Sequence, residues 1–145
     1  MVYSVDHVVR PGETTASAEL RYFCGGKGLN QSVALARAGA EVCHAGCVGA
    51  DGGRLISLLR DNGVETSLVT KSESPSGHAI IQVDRDGQNS ILLFGGANME
   101  ITPEQIENAV GNFSAGGRLF LQNEINGISE IIGAAHERGL EIVFN

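Results

Sequence analysis

The pattern of apolar and polar positions predicts short strands at the start of the chain and a regular strand–helix alternation later. Residues 2–9 and 15–23 each predict a strand. Residues 77–94 predict a hairpin with its turn at Asp84-Arg85-Asp86-Gly87. From Glu41 onward, apolar runs alternate with helical patterns, which is typical of a parallel sheet with helices packed on it. The hairpin and the two early strands interrupt this alternation and predict a small β-layer beside the main sheet.

Helix boundaries follow from the start and stop residues as well as from the period of the apolar positions. At Thr102-Pro103-Glu104-Gln105 a threonine cap precedes a proline, and a glutamine follows three residues after the cap. We expect Asp51 to cap the second helix of the chain. The predicted helices cover 29–38, 54–62, 102–110 and 127–138, and the predicted strands of the sheet cover 41–48, 64–70, 118–122 and 141–144.

The stretch that carries the chemistry is Cys24-Gly25-Gly26-Lys27-Gly28-Leu29-Asn30-Gln31-Ser32, a glycine-rich loop that leads into a helix. Its glycines permit positive φ angles and the close approach of a ligand. The helix directs its unpaired N–H groups and its positive end toward the loop. Lys27 adds a cation, and Asn30 adds donors and an acceptor. These residues suit a small polyhydroxylated or anionic ligand, and a turn that only begins a helix is the simpler alternative.

Two nucleotide-binding loops do not match this stretch. A Walker A loop places Ser or Thr directly after its lysine, whereas Gly28 follows Lys27. The dinucleotide fingerprint needs a third glycine where Gln31 stands. The loop is therefore predicted to bind a ligand of another kind.

Composition excludes several classes of protein. The chain has 145 residues, of which 42% are hydrophobic, and this suits one compact α/β domain with no internal linker or repeat. A net charge of −7 argues against nucleic-acid binding. The apolar runs are far shorter than the roughly 20 residues of a membrane span, and no signal peptide is visible. The odd count of 3 cysteines fits a reducing cytoplasm.

Cys43-His44-Ala45-Gly46-Cys47 is the one sequence that suggests a metal site. It lies in a predicted strand, where residues four apart are separated by about 13 Å. That distance is too long for a shared tetrahedral site or a disulfide. We therefore expect core cysteines here, a structural role for all four histidines, and no metal site.

Several motifs together resemble the PfkB/ribokinase family of carbohydrate kinases. The glycine-rich loop, followed by Gly39 and Gly49, is similar to the first signature of that family. The later motifs are most similar to its ribokinase branch. The other matching stretches are Arg10-Pro11-Gly12-Glu13-Thr14, Gly95-Gly96-Ala97-Asn98 and Leu121-Gln122-Asn123-Glu124-Ile125-Asn126.

The resemblance implies a ribokinase-like fold, with a Rossmann-like parallel sheet and a small β-sheet lid formed by residues of about 1–24 and 76–95. It also implies an ATP-dependent kinase that phosphorylates a sugar hydroxyl, with Mg²⁺ on the nucleotide. Ribose is the leading sugar, and fructose, phosphosugars and nucleosides are alternatives. The substrate-binding residues would be Gly25, Gly26, Lys27, Asn30, Ala97, Asn98 and Glu124.

Glu124 has independent support, because it follows a predicted strand at the edge where α/β sheets bind ligands. Members of the family dimerise through the lid, so a homodimer is expected.

The resemblance also predicts that residues 1–145 form only part of a kinase domain. Family members begin with a strand and a sugar-contacting Asp that precede this sequence. Their Gly-Ala-Gly-Asp motif, with the catalytic base, and most of their ATP site lie in a second half. We therefore expect no catalytic residue in this chain, no tight binding of ATP or Mg²⁺, and no activity of the chain alone. A truncated, non-catalytic sugar-binding or dimerisation module is the alternative.

Overall fold

A computed structural model describes all residues of the chain, Met1–Asn145, as strands and helices of an α/β fold. The helices are α1 (Lys27–Arg37), α2 (Gly53–Asp61), α3 (Pro103–Gly111) and α4 (Ile128–Glu137), with 3₁₀ turns at Ala50–Gly52 and Gly96–Met99. The strands are β1 (Val2–Ser4), β2 (Glu19–Arg21), β3 (Gly46–Val48), β4 (Val69–Lys71), β5 (His78–Val83), β6 (Asn89–Phe94), β7 (Arg118–Leu121) and β8 (Glu141–Phe144).

The predicted β-layer is a mixed sheet of four strands in the order β2-β1-β5-β6. Strand β1 runs parallel to β5 and antiparallel to β2, with Tyr3 between Leu20 and Gln82. Strands β5 and β6 form the predicted antiparallel hairpin, in which Ile81 lies opposite Ile91. The hairpin over residues 77–94 is therefore confirmed.

The first two strands are shorter than the sequence predicts. Strand β1 covers three residues of the predicted 2–9, and β2 covers three of the predicted 15–23. Strand β2 pairs only with β1, so the three-residue length of β1 limits the length of β2. The segment between these strands forms a loop that Ser17 ties to Ser4 through an Oγ–carbonyl hydrogen bond of 3.0 Å.

The remaining strands form two parallel pairs, and each pair has a helix in its crossover connection. Strand β3 pairs with β4 across α2, and β7 pairs with β8 across α4. The prediction of parallel strands joined through helices is confirmed for each pair. The predicted continuous sheet is divided, since no ladder joins the pairs. After β4 the chain enters the four-stranded sheet instead of returning through a helix.

Two separate apolar clusters hold these elements together. The first packs α1 on α2 through the buried side chains of Leu29, Leu59 and Val64. The second packs α3 and α4 on β7 through Ile106, Val110, Leu121 and Ile131. As a result, the start of α1 and the end of β7 belong to different clusters.

The start of α3 follows local sequence rules. The Gln105 amide donates to Thr102 Oγ1 at 3.3 Å, and the Thr102 amide donates to Gln105 Oε1 at 2.9 Å. This reciprocal pair is the predicted capping box.

The expected capping role of Asp51 is wrong. The 3₁₀ turn at Ala50–Gly52 precedes α2, so that Gly52 is the cap residue and makes no side-chain bond. Instead, Asp51 Oδ1 accepts hydrogen bonds from the Ser76 amide at 2.9 Å and the Ser76 hydroxyl at 2.8 Å. These bonds lower the pKa of Asp51 and tie the turn to the entry of β5.

Candidate functional site

The glycine-rich loop forms an open entrance to α1. Gly26 is the N-cap residue of α1, and its φ angle of 109° is one that residues with a Cβ rarely adopt. No side chain caps the helix. A Cβ atom built on Gly25 or Gly26 would have no heavy atom within 4 Å. The first turn contains no acidic residue. The start of α1 therefore has no side-chain cap, and there is free space beside Gly25 and Gly26.

Lys27 and Glu124 form an ion pair at the N-terminal end of α1. Lys27 Nζ lies 2.9 Å from Glu124 Oε1, and the side chains are 62% and 37% exposed. Glu124 belongs to residues 122–126, which directly follow β7 and are called the β7 loop below. Since both side chains are accessible, the ion pair contributes little to stability. It leaves charged donors and acceptors within reach of a polar ligand.

The β7 loop is held by contacts from other parts of the chain. Gln122 Nε2 donates to Gln31 Oε1 of α1 at 2.6 Å. The Asn126 side chain accepts from the Ile101 amide at 2.9 Å and donates to the Ile101 carbonyl at 2.8 Å. The position of Glu124 is therefore fixed by the residues on both sides of it in sequence.

Asn98 lies beside the β7 loop, but Ala97 is inaccessible. The Asn98 carbonyl accepts from the Asn126 amide at 3.4 Å. Ala97 is 0% exposed, and its amide donates to the Pro75 carbonyl at 3.0 Å. A Cβ on Gly77 would lie 2.6 Å from the Gly95 carbonyl oxygen and 2.5 Å from Asn98 Nδ2, so a glycine is required where the hairpin passes Asn98. Of these two predicted residues, only Asn98 is accessible to solvent.

Asn30 lies on a neighbouring face of α1 and has no bond to Glu124. It is exposed and borders an open groove of about 380 Å³ between α1 and α2. The other residues of this groove are Leu29, Val33, Ala34, Arg37 and Leu58. The structure thus brings Lys27 and Glu124 into direct contact and leaves Asn30 at the side of the site.

Sequence reasoning missed the roles of Gln31, Gln122 and Asn126 in holding the site. One available indication was the spacing of Lys27 and Gln31, because residues four apart share a helix face. The partners of these residues lie far away in sequence, 91 positions in the case of Gln31 and Gln122. No local pattern predicts such a pairing.

The cysteines and histidines form no metal-binding group in the structure. No group of three or more His, Cys, Asp and Glu side chains lies close enough to hold an ion. The three cysteines are free, with Cys47 buried and Cys43 partly buried. His44 Nδ1 lies 2.8 Å from Ser32 Oγ, and burial lowers the pKa of His44. None of the helices has the length and apolar character needed to cross a membrane.

Comparison with known proteins decides the family. Residues 1–129 match the family described as pfkB family carbohydrate kinase. The chain belongs to the pfkB family. Its sequence is 32% identical to a ribokinase of Haemophilus influenzae over 99% of this chain, and 34% identical to a ribokinase of Bacillus subtilis over 100% of it. This pfkB chain spans about half the length of these relatives, 49% and 51% respectively.

Solved structures of pfkB-type kinases share the fold. A ribokinase from Cryptococcus neoformans in complex with ADP has a TM-score of 0.83 and 36% identity, and the match covers 99% of this chain and 46% of that one. An Arabidopsis thaliana ribokinase complexed with ribose and ATP has a TM-score of 0.78 and 27% identity, with 99% and 48% covered. The ribokinase-like α/β fold predicted from the motifs is therefore confirmed.

Proposed function

We propose that this pfkB-family chain is the N-terminal, sugar-binding part of an ATP-dependent carbohydrate kinase, with ribose as the sugar. The observation that carries the proposal is the Lys27–Glu124 pair at the open start of α1. A carboxylate, an ammonium group and uncapped helix amides at one place suit a ligand with several hydroxyl groups.

Each charged group has a separate task in this proposal. Glu124 accepts hydrogen bonds from sugar hydroxyls, and Lys27 donates to a sugar oxygen. Gly25 and Gly26 have no side chain between the ligand and the start of the helix. Hydrogen bonds to charged groups contribute about 1.5–3 kcal/mol each, which is enough to select a hydroxylated ligand. Asn30 and Asn98 border the site and contribute through their amide groups.

The pairing of the charges favours a neutral sugar over a phosphosugar. Glu124 occupies the nearest position beside the ammonium group of Lys27, at 2.9 Å. A phosphate at that position would have to displace the carboxylate or lie next to it, and like charges repel. The names of the ribokinase relatives support ribose in particular.

Phosphoryl transfer also requires a base and a site for the triphosphate. The proposal places these groups in the part of the relatives that this chain does not span. ATP as the donor is supported by the ribokinases solved with ADP and with ribose and ATP. The proposal assigns no ligand of Mg²⁺ to this chain. The chain alone is expected to bind sugar without phosphorylating it.

A non-catalytic module is the second candidate, and the exposed apolar strand β6 favours it. Ile91, Leu92 and Leu93 are 54%, 66% and 68% exposed. Such a strand is suited to pairing with another protein chain. In this alternative the chain has only a binding or dimerising role.

Sugar titration and an ATP-turnover assay test the proposal. Ribose, fructose, ribose 5-phosphate and a nucleoside are titrated into the 145-residue chain and into any longer product of the gene. We expect saturable binding with preference for ribose, and phosphorylation only by a longer product that contains a Gly-Ala-Gly-Asp motif. Equal binding of all four compounds would contradict the assignment of ribose. Sugar binding without turnover by every product of the gene would favour the non-catalytic module.

A further inference from the structure

The side-chain contact between Gln31 and Gln122 lies next to the proposed sugar site and is partly buried. Gln122 Nε2 donates to Gln31 Oε1 at 2.6 Å. Gln122 is only 7% exposed. Its second polar atom, Oε1, is buried and has no hydrogen-bond partner in the chain.

Stability does not explain this arrangement. A side-chain amide carries two donor hydrogens and two acceptor lone pairs, and Gln122 uses one donor. Burying polar groups without partners is unfavourable, whereas two apolar side chains of similar shape at the same place are often neutral or stabilising. A leucine at position 122 would remove the unpartnered Oε1, and the Gln31 side chain is only half-buried and can bond to water instead, so leucine would serve folding as well as glutamine does.

Apolar packing does not set the distance between α1 and the β7 loop either. Leu29 of α1 packs in one apolar cluster, and Leu121 of β7 packs in the other. The side-chain bonds that join α1 to the β7 loop are Gln31–Gln122 and Lys27–Glu124. Lys27 and Gln31 lie one helical turn apart, about 6 Å along the axis, so the two bonds lie side by side.

The two bonds differ in burial. The Lys27–Glu124 pair is partly exposed, and such pairs hold geometry weakly because water competes for both groups. The Gln31–Gln122 bond is partly buried and neutral, so water competes with it less. Of the two, the glutamine bond is the one suited to keep α1 and the β7 loop at a constant separation.

We propose that Gln31 and Gln122 are positioning residues, whose bond holds the start of α1 at the distance from the β7 loop that the Lys27–Glu124 site requires. The inference rests on the proposed sugar-binding function for one of its two readouts. The pair acts through Lys27 and Glu124 and makes no contact with the sugar.

Matched glutamine variants test this inference in the 145-residue chain. Gln122→Leu and Gln31→Leu each remove the bond and keep the approximate side-chain volume. Gln31→Glu keeps an acceptor for Gln122 Nε2 and is the conservative rescue. Gln88→Leu, at an exposed residue beside the hairpin turn, is the control. Each variant is measured for its melting temperature, its ribose Kd and the hydrogen-exchange rate of the Asn30 amide, which donates to the Gly26 carbonyl at 2.9 Å and closes the first turn of α1.

We expect Gln122→Leu to melt at or above the wild-type temperature, to bind ribose roughly three- to tenfold more weakly, and to exchange the Asn30 amide faster by a similar factor. Gln31→Leu should behave likewise, and the double variant should be no weaker than either single one, because both remove the same bond. Gln31→Glu and Gln88→Leu should retain the wild-type Kd and exchange rate.

The inference is overturned if a folded Gln122→Leu protein keeps the wild-type Kd and exchange rate. If Gln122→Leu does not fold, the ribose Kd and the Asn30 exchange rate of Gln31→Leu, a substitution at a half-buried residue, decide instead. If the wild-type chain binds no ribose, the sugar-binding proposal is contradicted, and the exchange rate still decides the inference. Faster exchange at Asn30 then supports the positioning role, and unchanged exchange overturns it.

Discussion

Lys27 Nζ lies 2.9 Å from Glu124 Oε1, so the first residue of α1 contacts the loop that follows β7. The contact joins two parts of the chain that pack in different apolar clusters. A pair of accessible charges stabilises the fold only weakly, so we expect its main effect to be on ligand binding. This separation of binding from stability makes the site testable by substitution.

Glu124→Ala is expected to weaken sugar binding by roughly ten- to a hundredfold, the loss of one charged hydrogen-bonding group of about 1.5–3 kcal/mol. Lys27→Ala should act in the same direction, by a smaller factor. Melting temperatures should stay near the wild-type value, since both side chains are accessible. Isothermal titration with ribose measures the effect.

Glu141→Ala is the matched control for this substitution. Glu141 Oε2 forms a more exposed ion pair with Arg118 Nε, 2.8 Å long, on the neighbouring strands β7 and β8. Its removal should leave sugar affinity unchanged. A folded Glu124→Ala protein with wild-type affinity would remove Glu124 from the site.

Gly26→Ala is expected to destabilise the chain by about 1–3 kcal/mol, because φ of 109° is strained for any residue with a Cβ. Gly25→Ala is the control, since a Cβ there meets no atom within 4 Å and the φ angle of Gly25 is not positive. Urea unfolding followed by circular dichroism compares the two. Equal stability of both variants would show that α1 can begin in another conformation.

The partly buried side chain of His44 should make stability depend on pH. Burial lowers the pKa of His44 from its ordinary value of 6.5, so the folded chain favours the neutral imidazole. The unfolded chain then binds a proton at a higher pH than the folded chain does. The free energy of unfolding should keep its highest value above pH 6.5. It should decrease as the pH falls from 6.5 toward the pKa of His44 in the folded chain.

Urea unfolding of the wild type and of His44→Gln at pH 7.5 and pH 5.5, values that lie on either side of an ordinary histidine pKa of about 6.5, measures this dependence. The substitution removes the titrating group, so His44→Gln should lose less stability at the lower pH. His136→Gln, at an exposed residue of α4, should follow the wild type. Identical pH dependence in all three proteins would refute the effect.

The chain is predicted to form a homodimer through its four-stranded sheet. The apolar side chains of β6 are exposed, Leu93 by 68% and Ile91 by 54%, and β6 is an edge strand of that sheet. Light scattering at tens of micromolar protein should give twice the chain mass of 15.2 kDa. Leu93→Lys should shift the mass to that of the monomer.

Val143→Lys is the control for the dimer experiment, because Val143 is 44% exposed on β8, outside the four-stranded sheet. It should leave the mass unchanged. A monomeric wild-type chain would contradict the prediction, and dissociation by Val143→Lys alone would place the interface elsewhere.

Local patterns in the sequence determined the elements whose hydrogen bonds are made between near neighbours. The capping box of Thr102 and Gln105 spans three positions, and the hairpin turn is closed by the Asp84 carboxylate on the Asp86 and Gln88 amides. The glycine-rich loop was found from its composition, because positive φ at Gly26 favours glycine wherever it occurs. These features depend on a few consecutive residues, so the sequence by itself is sufficient to predict them.

Tertiary structure decided which side chains meet across the fold. The sequence allows Asp51 either to cap α2 or to bind Ser76. In the fold, Asp51 lies in a 3₁₀ turn before α2 and its carboxylate binds Ser76. The bond between Gln31 and Gln122 joins residues 91 positions apart, on elements that pack in two different apolar clusters. A residue's own sequence neighbours carry its conformational preferences and not the identity of a distant partner, since that partner is brought near only when the elements pack.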